Sequence, residues 1–132
     1  IDCVATDHAP HPVEAKESEW AEAAFGMTGL ETALRVVQRA MVETGLLDWA
    51  GVADRMSVRP ARIGRLTGHG HPLTQGAPGH LTLYDPAAPA EAVTPAGASK
   101  SRNTPFAGME LPGRVVATFL RGVPAVLDGK LA

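Results

Sequence analysis

The chain has 132 residues, 45% of them hydrophobic and 20% charged, with a formal net charge of −2 at pH 7. These proportions are ordinary for a globular protein, and the nearly neutral charge argues against a nucleic-acid partner, which would need a basic surface. No run of residues is apolar enough to span a bilayer, so no membrane partner is expected either. Cys3 is the single cysteine. It excludes an internal disulfide, and a reducing cytoplasm is therefore the expected location.

The first stretch with a functional pattern is Ala5-Thr6-Asp7-His8-Ala9-Pro10-His11-Pro12. The apolar residues 1–5 predict a buried strand, and the two prolines stiffen the loop that follows it. A buried strand that ends in acidic and histidine side chains is typical of a (β/α)8 barrel, whose functional residues lie at the C-terminal ends of its strands. Because the chain opens inside this strand, we expect it to be the C-terminal portion of a longer protein.

Helical patterns occupy much of the chain up to about residue 67. Residues 13–24 are polar and rich in Ala and Glu, which predicts a loop with a helical turn near its end. The sequence Thr28-Gly29-Leu30-Glu31 predicts a capping box at the start of a helix over about residues 29–43, and Gly45 is the expected stop. The apolar face of this helix would carry Leu30, Leu34, Val37 and Met41.

Two shorter helices are predicted after that one. Asp48 can cap a helix over about residues 49–56, because its carboxylate can accept hydrogen bonds from the free N–H groups of the first turn. Ser57 can cap another helix, in which Pro60 occupies the first turn, where its missing N–H does no harm.

Strand and turn patterns follow in the second half of the chain. Residues 80–84 and 114–120 predict strands, and Arg121-Gly122 predicts a tight turn into a partner strand over residues 123–127. Pro124 marks that partner as an edge or irregular strand, because proline cannot donate to the hydrogen-bond ladder.

Several motifs occur in one order along the chain: Asp7-His8-Ala9-Pro10-His11, Phe25-Gly26, Gly29-Leu30-Glu31-Thr32, Pro60-Ala61-Arg62-Ile63 and Ser99-Lys100-Ser101-x-Asn103-Thr104-Pro105-Phe106. In this order they resemble the class I dihydroorotases of the amidohydrolase superfamily. The resemblance covers almost the whole chain. It implies an α/β fold: the last strand and following helices of a (β/α)8 metal-dependent hydrolase barrel in residues 1–67, then the C-terminal part of a small β-sandwich in residues 68–132.

The resemblance also implies an activity. The family carries out the zinc-dependent, reversible cyclisation of N-carbamoyl-L-aspartate to dihydroorotate, a step of pyrimidine biosynthesis. By match to its motifs, Asp7 is expected to be a metal ligand and the catalytic proton-transfer residue, and the expected substrate contacts are His11, Phe25 and Gly26. The Zn2+ site, of one or two ions, would take its other ligands from outside this chain. The chain alone is therefore expected to be inactive and to bind zinc poorly.

The chemistry of these residues fits such roles. Opening a cyclic amide needs a hydroxide, a polarised carbonyl and a proton for the leaving nitrogen; zinc can supply the first two, and the Asp7 carboxylate can move the proton. His11 can donate to a carboxylate or amide oxygen, and Gly26 lets a ligand approach the backbone closely. The alternatives are structural: Asp7 as a cap or loop residue, His11 satisfied by backbone, and Phe25 packed before the next helix.

The other histidines are expected to have supporting or no functional roles. The His8 side chain points away from that of its neighbour Asp7, so packing or a supporting hydrogen bond is favoured over direct participation. The pair in His69-Gly70-His71 has the spacing of a zinc-binding His-x-His, but it lies in a Gly/Pro-rich turn with no apolar strand before it. We therefore predict a solvated loop there rather than a metal site. His80 opens a strand and is expected at the surface.

Two other functions stay open at this point. A non-catalytic dihydroorotase-like chain could serve as a partner of aspartate transcarbamoylase, although the presence of both Asp7 and His11 speaks against it. A related cyclic-amide hydrolase, either a dihydropyrimidinase or an allantoinase, would share the architecture. Both a homo-oligomer and a complex with aspartate transcarbamoylase are compatible with the resemblance.

Overall fold

Helices precede strands along the chain, in the order that the sequence predicts. The computed structural model describes residues 1–95 and 97–132. In these residues the helices are α1 (Val13–Lys16), α2 (Ala33–Val37), α3 (Trp49–Ala53) and α4 (Arg59–Ile63). The π-helical segment Gln38–Val42 continues α2, and a second, Asp54–Val58, joins α3 to α4. The strands are β1 (Leu81–Asp85), β2 (Glu91–Ala92), β3 (Glu110–Leu111), β4 (Arg114–Leu120), β5 (Val123–Leu127) and β6 (Lys130–Leu131).

The N-terminal ends of the first two helices differ from the prediction. Helix α1 lies in the segment that was predicted as a loop, and α2 begins at Ala33 rather than near residue 29. The predicted capping box is wrong: Thr32 is the N-cap, and its side chain makes no capping hydrogen bond. The Glu31 carboxylate instead accepts a hydrogen bond from the backbone N–H of Ala98, at 2.9 Å. A tertiary contact has therefore replaced the local one.

Two of the three helix ends predicted from a single local residue, those at Gly45 and Asp48, agree with the prediction. Gly45 has a φ of +74°, and its N–H donates to the Val42 carbonyl at 3.0 Å, which ends the helix. Asp48 caps α3 by accepting from the N–H of Gly51 at 2.7 Å. The predicted Ser57 cap is wrong, because the helix runs on through a π-helical segment. Pro60, in the first turn of α4, has no N–H to extend a regular α-helical ladder, which fits the wider turn before it.

The strands form two antiparallel sheets. One has the order β1-β4-β5-β6 and the other pairs β2 with β3. The three strands predicted in the second half of the chain are confirmed as β1, β4 and β5. The register shifts between Thr118 and Phe119, where Phe119 pairs with Pro124, so β5 is irregular at its proline rather than an edge strand.

Two tight turns connect the last three strands. Arg121 and Gly122 have φ values of +53° and +78°, and Asp128 and Gly129 have +51° and +73°. Positive φ at both central residues is typical of the two-residue hairpin turn that matches strand twist. The first turn was predicted from the sequence. The second was missed, although Asp-Gly is among the strongest hairpin signals.

The polar side of α2 and its π-helical extension, not only its apolar side, packs against the strands. Gln38 is 5% exposed, and its Nε2 donates to the Pro86 carbonyl at 3.0 Å. Arg35 donates to the carbonyls of Glu91, at 2.8 Å, and Leu111. The apolar residues packed most completely lie on both sides of this junction: Val37, Val52, Ala61, Val93, Leu111 and Ala117.

Residues 1–7 do not form the buried strand predicted for them. None of these residues is assigned to a strand, and Ile1 is 92% exposed. The segment is held by a hydrogen bond from Val4 N–H to the Arg55 carbonyl, at 3.1 Å. A parallel strand needs hydrogen-bonded neighbours, and the described residues place no strand beside it. No described helix is long and apolar enough to span a membrane.

Candidate functional site

Two loops that are distant in sequence lie side by side. The first loop comprises residues 7–12 and the second loop residues 24–28. They meet at an isolated parallel bridge between His8 and Met27, and the Ala9 N–H donates to the Met27 carbonyl at 2.8 Å. This pairing brings together the residues that the sequence singled out.

Asp7 occupies an unusual backbone conformation at the start of the first loop. Its φ is +45°, in the left-handed region, which costs a non-glycine residue about 1–2 kcal/mol, although Asp tolerates it better than most. The side chain is exposed, and no hydrogen bond from another described residue reaches its carboxylate. Asp7 is therefore not a helix cap here, and its carboxylate is free to bind a cation or carry a proton.

His8 supports the pairing of the two loops. Its Nδ1 accepts a hydrogen bond from the Gly29 N–H at 3.0 Å, and the Leu30 N–H lies 3.4 Å away. Since a backbone N–H can only donate, Nδ1 is the acceptor, and a neutral His8 carries its proton on Nε2. This is the supporting hydrogen bond that the sequence favoured for His8.

His11 is bonded to the backbone of the predicted substrate pair, which is what its structural alternative predicts. The His11 Nε2 lies 2.7 Å from the Phe25 carbonyl oxygen, so Nε2 donates and Nδ1 is left for another partner. Gly26 has a φ of +121°, and a Cβ there would overlap the Ala9 side chain. The Phe25 side chain is 91% exposed, so the alternative in which it packs before the next helix is wrong.

Three successive carbonyls of the second loop are held by side chains. Lys16 Nζ donates to the Ala24 oxygen at 2.7 Å and to the Gly26 oxygen at 3.1 Å, and His11 donates to the oxygen between them. The Gly26 oxygen also accepts from Asn103 Nδ2 at 3.3 Å. In a trans peptide the N–H points opposite to the C=O. The N–H groups of Phe25 and Gly26 therefore face away from these donors, and neither bonds to another described residue.

The sequence did not identify Lys16 and Asn103 as site residues. Lys16 lies in a polar segment that was predicted as a loop. Asn103 belongs to one of the motifs that carry the resemblance, but nothing local indicates the partners of its side chain, which are 77 to 94 positions away. The only signal available was its presence in that motif.

Three other histidines, His69, His71 and His80, lie outside these two loops. The His69 ring stacks on His80 with centroids 4.2 Å apart, and His71 Nδ1 lies 3.0 Å from the Pro72 oxygen. Desolvation, followed by the nearby His69 and Arg121, holds the pKa of His80 below its ordinary value of 6.5. His80 is partly exposed at the surface. The sequence predicted a solvated loop at residues 69–71, and His69 is exposed as expected.

Asp7 is the single metal ligand that the sequence predicts in this chain. Zinc takes three or four protein ligands, and no group of three or more His, Cys, Asp or Glu side chains in the described part of the chain is arranged to hold an ion. His8 Nδ1 is already occupied by a backbone N–H. Asp7 can therefore act as one ligand of a larger set, but these residues do not make a metal site by themselves.

Three curated proteins similar to this chain are named dihydroorotase. No protein-family model matches the sequence. The chain is 66% identical over 132 residues to a dihydroorotase of Streptomyces coelicolor, covering 99% of this chain and 31% of that protein. It is 62% identical over 129 residues to the dihydroorotase of Leifsonia xyli subsp. xyli, covering 98% and 30%, and 51% identical over 131 residues to that of Mycobacterium tuberculosis, covering 99% and 30%. The chain thus spans about 30% of the length of these relatives.

Two solved structures similar in fold to this chain are hydantoinases. An L-hydantoinase (dihydropyrimidinase) from Arthrobacter aurescens matches with a TM-score of 0.83 and 31% identity, covering 100% of this chain and 30% of that one. A D-hydantoinase (dihydropyrimidinase) from a Thermus species matches with a TM-score of 0.82 and 26% identity over the same shares. These neighbours are (β/α)8 hydrolases of the amidohydrolase superfamily, and the order of helices and strands in this chain fits part of that fold. By sequence and by fold, the chain belongs to the dihydroorotase family of the amidohydrolase superfamily.

Proposed function

We propose that the full-length protein is a zinc-dependent dihydroorotase that interconverts N-carbamoyl-L-aspartate and dihydroorotate in pyrimidine biosynthesis. The observation that carries the proposal is the direct contact between His11 and Phe25 beside an exposed Asp7 carboxylate. The names of the relatives at 51–66% identity agree with it. The division into barrel residues 1–67 and sandwich residues 68–132, and a cytoplasmic location, form part of the same proposal.

Asp7 is the proposed proton carrier. In the ring-opening direction, water adds to the amide carbonyl, the C–N bond breaks, and the nitrogen takes up a proton. The carboxylate would accept the proton from the attacking water and deliver it to the leaving nitrogen. Zinc, in a site of one or two ions that would take its other ligands from outside this chain, would supply Lewis-acid polarisation when bound. The Asp7 carboxylate is exposed and accepts no hydrogen bond from another described residue, so it could also ligate the ion.

His11, Phe25 and Gly26 are the proposed substrate contacts. Both substrates are anions, and the outward N–H groups of Phe25 and Gly26 can donate to a carboxylate or a ring carbonyl. The His11 Nε2–H is used by Phe25, so its Nδ1 side faces the ligand and can donate when the ring is protonated. One side chain would then both orient the second loop and contact the substrate.

Substitution of Asp7 in the full-length protein tests the proposal. We expect Asp7→Asn to lower kcat for dihydroorotate hydrolysis by about 10²–10⁴-fold, the usual contribution of a general acid–base. Asp2→Asn is a matched control, because Asp2 is an exposed carboxylate five positions upstream that pairs with Arg59 at 3.3 Å. Wild-type turnover by the Asp7 variant, or loss of turnover in both variants, would contradict the role assigned to Asp7.

A hydantoinase-type activity is the second candidate, and the two hydantoinase structures favour it. Dihydrouracil and hydantoin lack the carboxylate of dihydroorotate, so the three substrates separate the two functions. We expect a higher kcat/KM for dihydroorotate. If all three cyclic amides are inert, the non-catalytic alternative gains support. Gel filtration with and without aspartate transcarbamoylase then tests that partner and self-association together.

A further inference from the structure

A third loop, residues 99–106, reaches across to both of the loops already described. Asn103 Nδ2 donates to the Ala9 carbonyl at 3.0 Å and lies 3.3 Å from the Gly26 oxygen, and its Oδ1 lies 3.4 Å from the His11 backbone nitrogen. The Asn103 carbonyl also accepts from the Thr28 N–H at 3.0 Å. A single half-buried residue therefore bonds to the first loop twice and to the second loop twice.

We propose that Asn103 is a positioning residue for the reaction, one that sets the spacing between the proton-carrying loop and the substrate-contacting loop. The proposal rests on the proposed function for its kinetic consequences. Its structural consequence, that both loops depend on this side chain, stands without it. Asn103 itself would touch neither the substrate nor a metal ion.

The chemistry of an amide suits these contacts. Two of the partners are carbonyls, which need a donor, and the third is an N–H, which needs an acceptor. Only Asn and Gln carry a neutral amide with both functions, and Asn is the shorter of the two. An ionised Asp at position 103 would keep the acceptor for His11 but would place a carboxylate against the oxygens of Ala9 and Gly26.

The third loop is itself braced, so it can act as a fixed support. Within it, the Ser101 N–H donates to Ser99 Oγ at 3.1 Å, and the Thr104 N–H donates to the Arg102 carbonyl at 2.9 Å. Arg102 donates to the Pro95 carbonyl at 2.8 Å. None of these contacts reaches the first or second loop, and only Asn103 bonds across.

The loops that Asn103 contacts are the parts that need outside support. Ala9 lies two positions from Asp7, whose left-handed backbone is unfavourable by itself. The Gly26 carbonyl, in turn, belongs to the peptide group between Gly26 and Met27, so a hydrogen bond to it fixes the direction of that peptide group. Loss of Nδ2 would release one bond to each loop, so we expect substrate binding to weaken more than folding does.

The test uses the full-length protein with Asn103→Asp and, as a matched control, Lys100→Ala, because Lys100 is exposed in the same loop and makes no hydrogen bond to another described residue. We expect Asn103→Asp to raise KM for dihydroorotate about tenfold or more, with wild-type metal content, while Lys100→Ala stays within twofold of the wild type. A protonated Asp is close in shape to Asn and has a donor. The activity of Asn103→Asp relative to wild type should therefore recover as the pH is lowered through the carboxyl pKa.

Hydrogen exchange provides a second readout that does not need activity. We expect faster amide exchange in peptides covering residues 7–12 and 24–28 in Asn103→Asp but not in Lys100→Ala. Unchanged exchange in both peptides would overturn the proposal. A fall in kcat at constant KM in an active protein would also overturn it, because that pattern indicates only a smaller fraction of folded molecules. If the wild type has no dihydroorotase activity, the proposed function fails and the exchange result alone decides the positioning role.

Discussion

The Tyr84 hydroxyl donates to Gln38 Oε1 at 2.6 Å, and this bond joins β1 to the π-helical segment that continues α2. Gln38 completes the junction by donating to the Pro86 carbonyl, and it is the one polar residue among the buried side chains of the described part of the chain. Gly113 lies beside the pair with a φ of +73°, where a Cβ would overlap the Tyr84 hydroxyl. The helical and strand halves therefore meet through a satisfied polar contact with no room for a larger residue.

Removing the Tyr84 hydroxyl should destabilise the protein. Tyr84→Phe leaves the buried Gln38 oxygen without its partner, and an unsatisfied buried acceptor costs about 1–3 kcal/mol. The measurement is the free energy of unfolding in urea for the full-length protein. Thr82→Ala is a suitable control, because Thr82 lies on the same strand and makes no hydrogen bond to Gln38. Equal stability of Tyr84→Phe and wild type would contradict the role of this bond.

The same tyrosine should make stability depend on alkaline pH. Burial raises the pKa of Tyr84 above its ordinary value of 10.0, with Arg35 opposing the shift and Glu43 adding to it. Above pH 10.0 the unfolded chain loses this proton before the folded one does, so the folded form holds more protons and stability falls as pH rises. We expect the stability difference between wild type and Tyr84→Phe to shrink above that pH. A difference that stays constant would show that the tyrosine is not shifted.

Gly26→Ala should impair substrate binding by displacing the second loop. The substitution places a methyl group into Ala9 and within 3.3 Å of His11 Nε2, at a φ of +121°. Displacement of a substrate-contacting loop by about 1 Å can cost about 10²-fold in activity, and we expect a fall of that order in kcat/KM. Gly45→Ala is the control, because Gly45 also has a positive φ but nothing lies within 4 Å of its added Cβ. It should cost about 1 kcal/mol in stability and leave kcat/KM unchanged.

Asp48→Ala should weaken the start of α3. The Asp48 carboxylate caps the helix through the Gly51 N–H, and replacing such a cap by Ala typically costs about 1 kcal/mol. Asp48→Asn keeps the oxygen acceptor and should retain most of that stability. Thermal unfolding of the two variants separates capping from the loss of charge. A similar loss in both variants would instead implicate the charge.

The features that depend on neighbouring residues could be predicted from the sequence. Gly45 stops a helix because it reaches a left-handed conformation at little cost, and Asp48 caps one because its carboxylate is a few residues from the free N–H groups. The Arg121-Gly122 turn follows the same logic. One equally local signal failed because a distant group had taken the partner: the Glu31 carboxylate bonds to Ala98 N–H, 67 positions away, instead of closing a capping box.

The sequence by itself determined the family, the order of helices and strands, and the identity of Asp7, His11 and the Phe25-Gly26 pair as candidates. These are carried by residue types at short spacings. The tertiary structure decided that His11 bonds to Phe25, that Lys16 and Asn103 hold the second loop, and that the polar side of α2 is an interface. Hydrogen bonds between groups up to 94 positions apart depend on how the chain folds back on itself, and no local pattern specifies which distant carbonyl an amide will meet.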